Sequence, residues 1–300
     1  MTRRAFSTTL FALSAGLAQI KKPIRLGAPI FLKDDDPAVL AKEHRRLGYT
    51  AAQCPPVALS DTAHIAAIRK AYAAENVILA EVGAWVNILD PDPDKRRKNM
   101  DYVTERMALA DEVGARCCVD TAGSFAAQGS ADPRNDTKEF FDATVENCRK
   151  VVDSVKPKRS RFTIEMMFAS LPDGADSYVE LIRAVDRKEF GVHMDVCNVL
   201  NSPAKYYNSG KEIDYLFQKL GQWIVSCHAK DLRIAAFRSL QFVEVVPGRG
   251  IVDYKAYLRN LSQVPLEAPL MMEHFTSDAE YQEGAAYIRK QGAEVGVNFV

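Results

Sequence analysis

From Ile24 onward the chain alternates between two hydrophobic periods, and no other feature narrows the choice of fold as much. Short apolar runs occur at Ile24–Phe31 (IRLGAPIF), Ala51–Cys54, Val77–Val86 (VILAEVGAWV), Arg116–Asp120 (RCCVD), Phe162–Met167 (FTIEMM), Val192–Val196 (VHMDV), Ile224–Ala229 (IVSCHA) and Pro269–Phe275 (PLMMEHF). Each is followed by a longer amphipathic stretch: Asp36–Leu47, Thr62–Glu75, Pro93–Val113, Thr137–Val155, Ala175–Val185, Ile213–Leu220, Asp253–Leu261 (after a loop) and Ala279–Gln291. Short apolar runs read as strands buried on both faces, and strands separated by helices must pair in parallel through right-handed crossovers. Eight such units in about 275 residues match an α/β chain folded as a single (β/α)8 barrel. An open doubly wound sheet would need a glycine-rich phosphate turn after the first strand, and Gly27-Ala28-Pro29 is not one. No linker or change of composition divides the chain, so residues 19–300 read as one domain.

Composition removes some functions. Apolar residues at 47% supply a large core, and 39 Lys+Arg against 39 Asp+Glu leave no net charge to draw the chain onto nucleic acid. Residues 1–18, MTRRAFSTTLFALSAGLA, place Arg3-Arg4 before a mildly apolar run that ends in small residues. This pattern reads as a twin-arginine signal and predicts a periplasmic or otherwise exported protein, with a cytoplasmic one as the alternative. The run is too short to span a bilayer, so no stable membrane anchor is expected once the signal is removed. Cys54, Cys117, Cys118, Cys148, Cys197 and Cys227 contain no CxxC pair and read as buried, inert thiols.

The chemistry collects in the later strands. Glu165 in FTIEMM, Asp195 in VHMDV, His228 after IVSC and Glu273 after PLMM are lone ionisable groups in or at the end of apolar runs. In a barrel the C-terminal strand ends surround the active site. One buried charge costs several kcal/mol, roughly, unless it is paired, so four in successive strands imply a shared partner. Three carboxylates and one imidazole make a hard, oxygen-rich site for a divalent cation, Mn²⁺ or Mg²⁺ first, with Co²⁺ and Zn²⁺ also compatible.

With TIEMM, HMDVCN, SCHAKD, EVVPGRGIVDY and MMEH in view, residues 24–292 resemble the xylose isomerase-like TIM-barrel superfamily, specifically its sugar phosphate isomerase/epimerase group. The resemblance implies one divalent metal held by Glu165, Asp195, His228 and Glu273. It also implies that Glu165 and Glu273 serve as catalytic acid and base in isomerisation or epimerisation of a keto-sugar or related polyol. Loss of a β-substituent from the same enediolate would make the enzyme a lyase or dehydratase. Barrels of this group are often oligomers, although no segment here marks an interface. Many ketose epimerases of the group carry a His three residues after the strand-six Asp. Here that position is Asn198, which can hydrogen-bond a hydroxyl but cannot transfer a proton near neutral pH.

Further candidates for contact with a small carbohydrate are His193, which shares a strand face with Asp195, and Lys230, two residues beyond His228. Arg249 in the PGRG turn and Trp85 at the end of the third strand complete the set. Glu81 and Asp120, in strands three and four, are expected to pair with Arg or Lys. The superfamily also contains metal-dependent endonucleases, but five His and zero net charge fit poorly with a multi-zinc site on DNA. A barrel that binds sugar without reacting is the remaining alternative, and it would not require two glutamates beside a metal.

Overall fold

The computed structural model describes residues 21–235 and 239–300, so the signal expected at 1–18 lies outside the described residues. Eight parallel strands close into a barrel: β1 (Leu26–Gly27), β2 (Ala51–Gln53), β3 (Ile78–Gly83), β4 (Cys117–Thr121), β5 (Arg161–Glu165), β6 (Phe190–Asp195), β7 (Ile224–Ala229) and, last, β10 (Leu270–Met272). Closure runs through Gly27, which stands opposite Met271 on one side and Ala51 on the other. Between the strands run α1 (Pro37–Arg46), α2 (Thr62–Ala74), α3 (Pro93–Val113), α4 (Lys138–Val155), α5 (Ala175–Val185), α6 (Val196–Val199), α7 (Pro203–Tyr207), α8 (Ser209–Leu220) and α9 (Tyr254–Leu261), and α10 (Asp278–Glu294) follows the last.

Local chemistry sets the helix ends. Asp36, Asp61, Asp92, Thr137, Asp253 and Ser277 each accept a backbone N–H of the first turn, and Pro37 and Pro93 occupy first-turn positions where no N–H is needed. The long helix α3 stops at Gly114, whose φ of 76° is left-handed. Each strand sends alternate side chains in opposite directions. Leu79, Val82, Cys118, Phe162, Ile164, Val192 and Cys227 belong to the main apolar cluster that seats the helices. Ala51, Ala80 and Met271, with Cys117, Val119 and Val225, form two small clusters separate from it, inside the barrel. Five of the six cysteines are buried and all six are free thiols.

The loop expected after the seventh strand is structured. Strands β8 (Asp231–Ala235) and β9 (Gln241–Val245) form an antiparallel hairpin at the C-terminal face. Its base is gathered by Asp231, whose carboxylate accepts the backbone N–H groups of Leu232, Gly248, Gly250 and Val252 at 2.9–3.1 Å. The short helices α6 and α7 are likewise absent from the sequence pattern, because neither is long enough to establish a helical period. No helix among the described residues is long and apolar enough to cross a membrane.

Asp120, expected to pair with a cation, instead ties β4 to the turn after β3. Its Oδ1 accepts the N–H of Val86 at 2.9 Å, and its buried Oδ2 has no hydrogen-bond partner among the described residues. Burial pushes its carboxyl up to about 7, against the opposing N–H groups of Val86 and Thr121. The folded chain therefore holds a proton there that the unfolded chain loses near pH 4. The stability this supplies is full below about pH 4 and is lost as pH rises through about 7. Asp120→Asn keeps the acceptor and removes the ionisation. Urea melts should show the variant gaining on the parent by about 2–4 kcal/mol between pH 4.5 and 7.5; parallel profiles for the two proteins would contradict this account.

Candidate active site and metal centre

The structure brings Glu165, Asp195, His228 and Glu273 together. One ligand atom from each lies within 4.8 Å of all the others, and all four residues are buried. They come from the C-terminal ends of β5, β6 and β7 and from the residue after β10, so parallel pairing alone sets them side by side. Asp195 stands opposite His228 in the β6–β7 register, and Met271 stands opposite His228 in that of β7 and β10. Two tyrosines of α9 hold the backbone of the third contributor: Tyr257 donates to the carbonyl of His228 at 2.8 Å and Tyr254 to that of Lys230 at 2.9 Å.

His228 is oriented from below. Its Nε2 lies 3.2 Å from Oε2 of Glu81, a carboxylate fully enclosed in the barrel. Oε1 of Glu81 meets His193 Nε2 at 3.0 Å and Ser226 Oγ at 2.5 Å. With Nε2 donating to Glu81, Nδ1 of His228 is the ring nitrogen that faces upward, 3.0 Å from Glu273 and 3.5 Å from Glu165, where a bound cation would take the place of its proton. Neither carboxylate is aligned for a hydrogen bond, and Nδ1 has no hydrogen-bond partner among the described residues. Asp195 caps α6 with Oδ1 through the N–H of Cys197, and its Oδ2 faces the Lys230 ammonium at 2.7 Å. A buried imidazole nitrogen lacking a hydrogen bond and converging with three carboxylates fits a divalent cation.

The electrostatics agree. Burial works against a proton on His228, but Glu81, Glu165 and Glu273 overcome it and hold the imidazole's pKa well above its ordinary value. Burial raises Glu81 and Glu165, yet the neighbouring imidazoles leave both carboxyls below the usual carboxylate range. Asp195 is raised by burial, with Lys230 pulling the other way. A field that stabilises a proton on His228 also stabilises a metal cation, which would displace that proton.

The remaining predicted residues take different places. Asn198 donates to Oε1 of Glu165 at 3.2 Å and to the carbonyl of Met166 at 3.0 Å. Trp85, half exposed, donates its indole N–H to the other oxygen of Glu165 at 3.1 Å. Its backbone is left-handed at φ 43°, and its ring covers Gly83, where any Cβ would collide with it. Lys230 does not project toward a substrate oxygen: it is buried, with Nζ 2.6 Å from Glu273, 2.7 Å from Asp195 and 3.1 Å from Glu244. His193 is not at the mouth: it is fully enclosed below the cluster, with its ring edge-on to that of His228 and its Nε2 on Glu81. Arg249 is not brought to the cluster. It lies exposed on the outside and forks onto Glu283 of α10.

Three residues complete the centre without having been singled out for it. Glu81 pairs with two imidazoles rather than with Arg or Lys, and a lone acid in VILAEVG was its only signal. Glu244 reaches Lys230 from β9, a strand hidden in what reads as loop. His274 bridges Glu244 at 2.7 Å and Glu273 at 3.5 Å, with a left-handed φ of 67°. Strained backbone at both Trp85 and His274, each costing on the order of 1 kcal/mol or more, borders the same mouth.

Comparison with solved structures establishes the fold independently. D-psicose 3-epimerase from Clostridium cellulolyticum superposes with a TM-score of 0.65 at 17% identity, over 89% of this chain and 99% of that one. A xylose isomerase-like TIM barrel protein from Mycobacterium smegmatis, solved in complex with magnesium, gives 0.64 at 19% identity over 91% and 97%. Endonuclease IV from Thermus thermophilus gives 0.67 at 13% identity over 91% and 100%. No curated protein sequence matches. The family described as the xylose isomerase-like TIM barrel matches residues 41–291, most of the chain. With its closed eight-stranded parallel barrel, the chain belongs to that family.

Proposed function

We propose that the protein is a divalent-metal-dependent sugar isomerase or epimerase that moves a proton through an enediolate. The observation that carries this reading is the placement of Glu165 and Glu273, both within 3.5 Å of Nδ1 of His228, which has no hydrogen-bond partner among the described residues. Sugar epimerases among the structural neighbours support the substrate class. Glu165, Asp195, His228 and Glu273 would hold the ion, Mn²⁺ or Mg²⁺ by the hardness of the donors. When bound, it supplies a Lewis acid for the negative charge that develops on the substrate carbonyl.

The chain's own residues do the rest. A carboxylate of the Glu165–Glu273 pair removes the proton beside the carbonyl, and the other returns one. Return to the opposite face of the same carbon gives the epimer, and return to the neighbouring carbon gives the isomer. Asn198 and Trp85 each hold one oxygen of Glu165, so its carboxylate plane is fixed before substrate arrives. Lys230 holds Glu273 and Asp195 and balances part of their charge. Glu81 keeps His228 in the tautomer that presents Nδ1.

Proton NMR in D₂O, with Mn²⁺ and a panel of free keto-sugars, 3-keto-glycosides and sugar phosphates, tests the reaction. The C–H signal beside the carbonyl of a turned-over sugar should disappear. Glu273→Gln, assayed at Mn²⁺ concentrations that saturate the variant, should slow this by about 10²–10⁴-fold, and chelation of the metal should stop it. Exchange that persists in Glu273→Gln would remove the proposed base, and a panel untouched by protein with bound metal would remove the reaction.

The support beneath His228 is tested by affinity. Glu81→Gln should weaken Mn²⁺ binding by about 10–100-fold, read by calorimetric titration. An unchanged dissociation constant would show that Glu81 does not set the tautomer.

A further inference from the structure

Beside the cluster lies a cavity of about 410 Å³ with a different chemistry. Leu200, Leu232, Phe242 and Phe168 make it apolar, and Asn198 and Glu244 form its polar edge. Those two residues also belong to the centre. Asn198 donates to Glu165, and Glu244 faces Lys230 at 3.1 Å. The cavity therefore borders the place where proton transfer is proposed.

Its walls come from three separate βα connections. Phe168 follows β5, Asn198 and Leu200 follow β6, and Leu232 and Phe242 belong to the hairpin after β7. The hairpin wall is fixed. Tyr206 of α7 packs on Phe242 at 5.7 Å between ring centroids, and its hydroxyl accepts the N–H of Ile234 at 3.3 Å. Phe168, in contrast, leaves 65% of its surface in water, which is unfavourable for so large an apolar side chain unless something covers it. The volume falls in the range of small-molecule sites, and a ring-sized group fills it more naturally than a protein surface would.

We infer that the substrate is a keto-sugar carrying an apolar, ring-sized substituent, such as an aryl glycoside that has a carbonyl on its sugar ring, and that this substituent lies between Phe168 and Phe242. The inference rests on the carbohydrate reading of the neighbouring centre. The polar half of such a substrate would meet Glu165 and Asn198, and its apolar half would meet the cavity. The same division explains why one side of the mouth is built of charges and the other of aliphatic and aromatic groups.

Calorimetric titration of the Mn²⁺-loaded full chain with matched methyl and phenyl β-D-glycopyranosides of several sugars tests this without turnover. The phenyl member of at least one pair should bind about tenfold or more tightly than its methyl partner, the order expected for burying a ring-sized apolar group. Phe168→Ala should remove most of that preference. Asn201→Trp, at an exposed position lining the cavity, should block it while leaving Mn²⁺ affinity and methyl glycoside binding unchanged. No phenyl preference in any pair, or a preference that survives both substitutions, would overturn the inference. So would sedimentation showing that Phe168→Ala dissociates an oligomer while phenyl preference is absent, since a second copy would then cover the ring. Loss of deuterium exchange with phenyl preference intact would instead remove the proposed reaction and leave the subsite standing.

Discussion

The active end of this barrel depends on one buried hydrogen bond, from the imidazole of His228 to the carboxylate of Glu81. A carboxylate enclosed in a barrel is costly unless its oxygens are satisfied, and here two imidazoles and a hydroxyl satisfy them. That solution has a directional consequence. Once Nε2 of His228 is committed downward, Nδ1 can only face the three carboxylates above it. The polar layer in the barrel and the acidic layer at its mouth are thus two halves of a single arrangement.

This arrangement occupies space that barrels of this type usually fill with branched apolar side chains. Here small residues, Ala51, Ala80 and Cys117, lie beside Met271, Val119 and Val225 in the two inner clusters, and Glu81, His193 and Ser226 are buried with them. Apolar stabilisation is concentrated between barrel and helices, where the large continuous cluster lies. The helices also act on the centre directly, since Tyr254 and Tyr257 of α9 hold the carbonyls of the two cationic contributors.

Cations and anions at the mouth are interleaved rather than paired one to one. Lys230 touches three carboxylates, and two of them, on Asp195 and Glu273, also belong to the ligand group. Lys and His therefore restrain the mutual repulsion of acids that must stay close together. Asn198, in the position where a second proton carrier is expected, serves as a donor to Glu165. Any proton relay at this site therefore falls to the carboxylates.

The amino-acid sequence by itself determined the barrel and four residues of its centre. Strand and helix periods are local properties, and parallel order follows from their alternation, so Glu165, Asp195, His228 and Glu273 had to emerge at one end. Tertiary structure decided what each remaining polar group faces. Glu81 could have met Arg or Lys, His193 could have met substrate, and Arg249 could have reached the mouth; nothing local separates those outcomes. The hairpin β8–β9 was invisible because its strands pair only with each other and owe their place to Asp231, whose carboxylate gathers four backbone N–H groups, three of them well along the chain. Periodicity reports which side of an element is buried, whereas the partner of a buried charge depends on residues far along the chain that only the closed barrel brings within reach.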